Sequence, residues 1–180
     1  MKKTILGLAG QPASGKGTIA EYLIGKYGAV SYRFSKIIND ILGRLYLEIS
    51  RENQQNISTI LRQNLSEDVF AKVIFEDVKK DNNGVIVVDG VRRLADIKYL
   101  RQIPEFKLVF VEADIKKRYE RITKRNEKTD DENKTFEQFE KDHLQEAESQ
   151  IAGLKEQADF ILDNDGSFED LYKQIEKLVK

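Results

Sequence analysis

The residues able to do chemistry fall into three groups, and the first is a lysine inside a glycine-flanked curl, Gly10-Gln11-Pro12-Ala13-Ser14-Gly15-Lys16-Gly17-Thr18. Gly10 and Gly15 let the chain turn successive backbone N–H groups inward, while Lys16 and the positive end of a following helix face the same space. Such a curl cradles a nucleotide's phosphates, with Gly10, Ala13, Ser14, Gly15, Lys16, Gly17 and Thr18 as the binding set. The second group is Asp89, which closes Val85-Ile86-Val87-Val88 and should emerge at the same sheet edge as the curl. With the Thr18 hydroxyl it offers the hard oxygens that Mg2+ needs beside phosphates. The third is cationic: Arg92 and Arg93 directly after that aspartate, and Arg118, Arg121 and Arg125 at steps of three and four along one helical face. The first two suit a second phosphate, whereas the helical stripe by itself ordinarily reads as a solvated cationic face.

The elements that must position these groups can be read in order. Thr4-Ile5-Leu6-Gly7-Leu8-Ala9 is a short apolar run of the kind buried on both faces of a parallel sheet, and Ile19, Leu23 and Ile24 then recur at helical spacing. Residues 29–34 predict a second strand, with Ser35 capping a helix striped by Ile37, Ile38, Ile41, Leu42 and Leu45. Two more helices follow, about 51–65 and 66–80, the second introduced by Ser66-Glu67-Asp68. After the turn Asp81-Asn82-Asn83-Gly84 come the strand at 85–88, a helix at about 94–102 closed by Pro104, and a strand at 107–111. A long helix from about 115 dissolves into the polar segment 126–134, helix resumes near Thr135, and Ala158-Asp159-Phe160-Ile161-Leu162 makes a fifth strand before a helix capped by Ser167. Strands alternating with helices predict an α/β, three-layer fold: a five-stranded parallel sheet flanked by helices, one domain over 1–180, with ligands beyond the carboxyl ends of the strands.

Composition narrows the classes. The chain has 180 residues, enough to bury roughly 70% of its unfolded surface. Thirty basic and 31 acidic side chains nearly cancel, which argues against a generic nucleic-acid or anionic-membrane surface. No Cys and a single His exclude disulfides, thiolate nucleophiles and clustered cysteine or histidine metal sites. Met1-Lys2-Lys3 before Ile5 to Ala9 imitates a secretory leader, but the apolar stretch is too short and runs into the curl, so a cytoplasmic protein without a membrane span is expected.

The curl's GxPxxGKGT spelling resembles that of adenylate kinases and related nucleoside monophosphate kinases, with Ala13 where those proteins usually have Gly. Val88-Asp89-Gly90-Val91-Arg92-Arg93 is similar both to the DGFPR segment of adenylate kinases and to the DxRxxxE segment of deoxynucleoside monophosphate and phosphomevalonate kinases, with Asp96 near the expected Glu. The first likeness implies that Arg93 carries the acceptor phosphate, and the second Arg92. The family also implies a short, zinc-free lid at about 126–135 entered by Arg121 and Arg125, and a helical acceptor-binding region at about 35–80 in which Arg51 or Arg62 reaches the acceptor. The stretch Ala158 to Ser167 resembles the final strand and loop of dephospho-coenzyme A kinases, which implies base contacts from the backbone at Asn164 to Gly166. Beyond the lid, His143 reads as a surface helix residue rather than a catalyst, and Asp142 and Glu146 read equally as a salt-bridged helix or as support for a lid arginine.

These implications converge on an ATP- and Mg2+-dependent transfer to a small phosphorylated acceptor by a monomer or homodimer that binds neither nucleic acid nor membrane. Lys16, Arg92, Arg93, Arg121 and Arg125 would be the catalytic cations. The acceptor expected is a nucleoside or deoxynucleoside monophosphate. The TGDxLR stretch that adenylate kinases carry after their second strand is replaced here by Phe34-Ser35-Lys36-Ile37-Ile38-Asn39-Asp40. Dephospho-coenzyme A is the alternative acceptor, and a slowly hydrolysing nucleotide switch is the alternative of another class.

Overall fold

The computed structural model describes residues 3–125, 135–144 and 147–179. Five parallel strands, β1 (Thr4–Ala9), β2 (Val30–Arg33), β3 (Val85–Val91), β4 (Phe106–Glu112) and β5 (Phe160–Asp163), lie in the order β2-β3-β1-β4-β5. The helices are α1 (Lys16–Tyr27), α2 (Phe34–Arg44), α3 (Arg51–Asn64), α4 (Val69–Lys80), α5 (Leu94–Ile97), α6 (Ile115–Arg125), α7 (Phe136–Leu144), α8 (Ala147–Glu156) and α9 (Phe168–Val179). No described helix is long and apolar enough to cross a membrane.

The period-two alternation of the central strands divides the core into two layers. Ile5, Ile86, Val88, Leu108 and Phe110 face one way, onto Phe70, Ile74 and Val78 of α4 and Ile151 and Leu154 of α8. Leu6, Leu8, Val87, Val109 and Val111 face the other, onto Ile19 and Leu23 of α1 and Leu171 and Ile175 of α9. Burial on both faces is why these strands read as continuous apolar runs. In contrast, α3 buries no residue; Ser50 caps it by accepting the Asn53 N–H at 3.2 Å.

Several element boundaries differ from the sequence expectation, those at Phe34, at residues 98–100 and at Val91 among them. Ser35 does not cap α2. The helix begins at Phe34, two residues earlier than a Ser35 cap would set it, after an Arg33 whose side chain makes no capping bond, because Phe34 turns into the core beside α4. Burying a phenyl ring is worth about 1.5–3 kcal/mol, against about 1 kcal/mol for a hydroxyl cap. The helix expected over 94–102 breaks into α5 and a 3-10 turn at Leu100–Gln102. At the break, Lys98 Nζ and the Tyr99 hydroxyl donate to Asp68 at 2.9 and 3.0 Å. Finally, β3 continues two residues past Asp89 to Val91, through a register shift opposite Leu8 and Ala9.

Asp68 thereby ties the start of α4 to the segment after β3. The Ser66 hydroxyl first, then Lys98 and Tyr99, hold its carboxyl well below the ordinary value of 3.8. A carboxyl depressed on folding contributes stability above its unfolded pKa and loses it as pH falls through the folded value. Asp68→Asn should therefore lower the thermal midpoint at neutral pH, and the gap from the native chain should close as pH drops below about 4. Circular-dichroism melts across that range would read it; a gap independent of pH would show that the carboxylate charge plays no part.

Candidate nucleotide site

The loop between β1 and α1 is shaped by three left-handed residues, Gly10 (φ 138°), Ala13 (φ 59°) and Gly15 (φ 107°). Gly15 occupies the N-cap position of α1, and no side chain caps the helix, so its leading N–H groups point into the loop without a side-chain acceptor. A Cβ on Gly10 would lie well inside 3.0 Å of the Val111 carbonyl oxygen, and one on Gly15 equally close to Asn164 Nδ2. Both glycines are thus demanded by packing as well as by φ. Lys16 Nζ curls back over the loop and donates to the Gly10 and Gln11 carbonyls at 2.7 and 2.8 Å. Ser14 is fully buried, and its Oγ has no hydrogen-bond partner. An anion in the loop would satisfy that orphaned hydroxyl, the capless helix start and the lysine together, so the residues present fit a nucleotide's phosphates.

The loop after β5 braces this curl from the far end of the chain. Asn164, 1% exposed, donates from Nδ2 to the Ser14 carbonyl at 2.7 Å. Arg121 of α6 then bridges the two loops, donating to the Asn164 carbonyl at 2.8 Å and to the Ala13 carbonyl at 3.4 Å. Beside it lies a cavity of about 290 Å³ lined by Lys117, Glu120, Arg121, Lys124, Asp165 and Gly166. A second, of about 390 Å³, reaches from Gln11 along the ends of β4 and β5. Asn164 therefore contributes its side chain to the curl, in addition to the backbone expected from sequence.

Asp89 does emerge at the carboxyl edge of the sheet, paired in the β1–β3 ladder with Leu8, two residues before Gly10. It is already engaged: Arg33, opposite it at the end of β2, approaches Asp89 Oδ2 through Nε at 3.0 Å. Among the described residues no group of three or more His, Cys, Asp or Glu could hold a metal by itself. Thr18 and Asp89 carry oxygens of the type that Mg2+ takes together with phosphates and water.

The arginines expected to act together are sorted by their partners. Arg92 is exposed, and its side chain makes no hydrogen bond or ion pair among the described residues. Arg93 is paired with Glu67, and Asp96, 3% exposed, accepts the backbone N–H groups of Arg92 and Arg93, both at 3.0 Å. Arg62 is spent on Asp96 at 3.4 Å, on the Glu67 carbonyl and on the Phe70 ring; Arg51 stays exposed at the start of α3. Arg118 is not part of a solvated stripe, being 3% exposed and donating to the Ala113 carbonyl at 3.0 Å. The lid segment 126–134, Glu146, and the side chains of Arg125, Asp142 and His143 lie outside the described residues.

Arg33 and Glu67 were not singled out by sequence. A lone arginine closing a four-residue strand has no local spacing signal, although the rule that ligands meet strand ends would have pointed to it.

Comparison with known proteins bears on the family and the fold. A family model described as an AAA domain matches residues 6–145. A UPF0200 protein of Staphylothermus marinus is 33% identical over 180 residues, covering 100% of this chain and 93% of the relative. The chain belongs to the UPF0200 family. UPF0200 protein TK1334 of Thermococcus kodakarensis is 32% identical, with 97% of this chain and 96% of that relative covered. Among solved structures, a shikimate kinase from Bacteroides thetaiotaomicron superposes with a TM-score of 0.64 at 15% identity, covering 97% of this chain and 96% of its own. TT1252 from Thermus thermophilus gives 0.62 at 16%, covering 99% and 97%. Likeness at that identity shows the fold alone, and the fold is that of P-loop kinases and NTPases. The narrower likeness to adenylate kinases is not reached by any of these matches.

Proposed function

We propose that this UPF0200 protein is an ATP-dependent phosphotransferase that moves the γ-phosphoryl group to a small phosphorylated acceptor, a nucleoside or deoxynucleoside monophosphate. The observation that carries the reading is the pairing of a phosphate-shaped loop with an uncommitted arginine, Arg92, at the end of a strand adjacent to the loop's own. In this reading Lys16 and the loop N–H groups hold the β- and γ-phosphates, and Thr18 and Asp89 hold Mg2+, which shields phosphate charge when bound. Arg121, with the chain from Asn164 to Gly166, lines the base side, its guanidinium being fixed on the Ala13 and Asn164 carbonyls. Arg125, one helical turn further on, is assigned to the transferring phosphoryl group.

Between the two arginines left open by sequence, Arg92 is the better acceptor ligand. Arg93 has a carboxylate partner to give up, and Arg92 has none among the described residues. Positioning and electrostatics then supply most of the rate, since phosphoryl transfer asks little proton shuttling of the protein.

An acceptor panel with ATP and Mg2+ tests this: nucleoside and deoxynucleoside monophosphates, dephospho-coenzyme A, and shikimate, the acceptor named for the structural neighbour. Transfer to a monophosphate is expected. Arg92→Ala should raise the acceptor KM at least tenfold, the worth of one charge-assisted contact of about 1.5–3 kcal/mol, and Arg93→Ala should raise it less. ATP hydrolysis indifferent to every acceptor would instead favour a nucleotide switch.

A further inference from the structure

The structure pairs Asp89 Oδ2 with Arg33 while the reading above assigns the same carboxylate to Mg2+, so two mutually repelling cations compete for one negative charge. The two residues sit opposite one another in the β2–β3 ladder, so backbone hydrogen bonding holds their Cα atoms together whatever the side chains do. Arg33 is 52% exposed in its side chain and Asp89 only 14%. The ion pair runs through Nε, and the arginine side chain has no other partner among the described residues, so its two terminal amino groups remain available. Half-exposed pairs of this kind are weak, and exchange of partner is within reach of a bound ligand.

The neighbouring cations make the exchange useful. With Arg93 on Glu67 and Arg62 on Asp96, Arg92 is the one arginine following β3 without a partner among the described residues. A phosphate dianion is best held by two guanidinium forks. Arg33, at the carboxyl end of the next strand, is placed to be the second.

We infer that Arg33 is a shuttling ligand. It neutralises Asp89 in the nucleotide-free chain, yields that carboxylate when Mg2+ is loaded with the nucleotide, and then turns its terminal amino groups to the phosphate of the acceptor beside Arg92. Metal loading and acceptor capture are thereby coupled through one side chain. The inference rests on the phosphotransferase reading and adds an acceptor ligand to it.

Two binding measurements on the full chain test it. In the first, Mg2+ is titrated into protein with a fluorescent ATP analogue. Arg33→Ala should lower the Mg2+ concentration for half-maximal nucleotide binding about fivefold, because the competitor for Asp89 is gone. In the second, inorganic phosphate is titrated into protein saturated with Mg2+ and a non-hydrolysable ATP analogue, so that the loop is filled and only the acceptor side is read. Here the same variant should bind about tenfold more weakly. Arg33→Lys, which keeps the charge but loses the fork, should restore the first value and only part of the second.

Opposite shifts are the signature of a shared ligand; a purely structural arginine would leave both unchanged or weaken both. An unchanged Mg2+ midpoint, or unchanged phosphate binding, in a variant that melts like the native chain overturns the inference and leaves the nucleotide reading standing. A native chain that binds no nucleotide with Mg2+ overturns both.

Discussion

Lys16→Ala is expected to lower phosphoryl transfer by about 10²–10³-fold, the cost of removing one preorganised charged donor from a reacting phosphate. The loss should appear in both kcat and nucleotide affinity, since the lysine meets phosphate charge in the ground state and more of it in the transition state. Stability should barely change. Lys16 Nζ bonds the carbonyls of a buried Gly10 and a partly exposed Gln11, and water can take the place the ammonium vacates, so a thermal midpoint within about 3 °C of native is expected. Isothermal titration with ATP and Mg2+, a coupled kinase assay and a melt on one preparation separate these effects. Transfer retained within about threefold would remove Lys16 from the chemistry, and with it the loop as the seat of the transferring phosphate.

What could be read without coordinates follows from how local each signal is. The curl at Gly10 to Thr18 is a contiguous pattern, and β1 and the body of β3 are unbroken apolar runs. Their type is set within a few residues, and the structure places them as expected. Failures occur where a long-range contact outweighs a local preference. Ser35 is a good cap by composition, yet Phe34 pulls the helix start past it. The segment 94–102 has helical spacing, yet the bonds from Lys98 and Tyr99 to Asp68, some thirty positions away, accompany its break.

The site shows the same division. Lys16, Thr18 and Asp89 announce themselves by motif, whereas the Asn164 brace on Ser14 spans 150 positions and Arg33 acquires meaning only through its register with Asp89. The sheet order β2-β3-β1-β4-β5 is likewise a set of long-range pairings that no short window contains.

Gly10→Ala should be the most damaging single-methyl change to the fold. The residue sits at φ 138°, where side chains are rarely tolerated, and the added Cβ would run into the Val111 carbonyl oxygen. That oxygen belongs to β4, next to β1 in the sheet and locked by its ladders to β1 and β5, so it cannot retreat as the tip of a flexible side chain could. Left-handed strain of roughly 1–2 kcal/mol and overpacking of about 1–3 kcal/mol together predict a loss of roughly 2–5 kcal/mol. In a chain this long, that lowers the thermal midpoint by about 5–15 °C. Nucleotide binding should fall with it, because relief of the clash must swing the loop away from β4. Gly25→Ala is the matching control: it lies inside α1, where a Cβ meets nothing within 4 Å, and should raise stability by about 0.5–1 kcal/mol through helix propensity. If Gly10→Ala melted with the native chain and bound ATP as well, the tight seating of the loop against β4 would be wrong, and with it the rigid cradle on which phosphate binding depends.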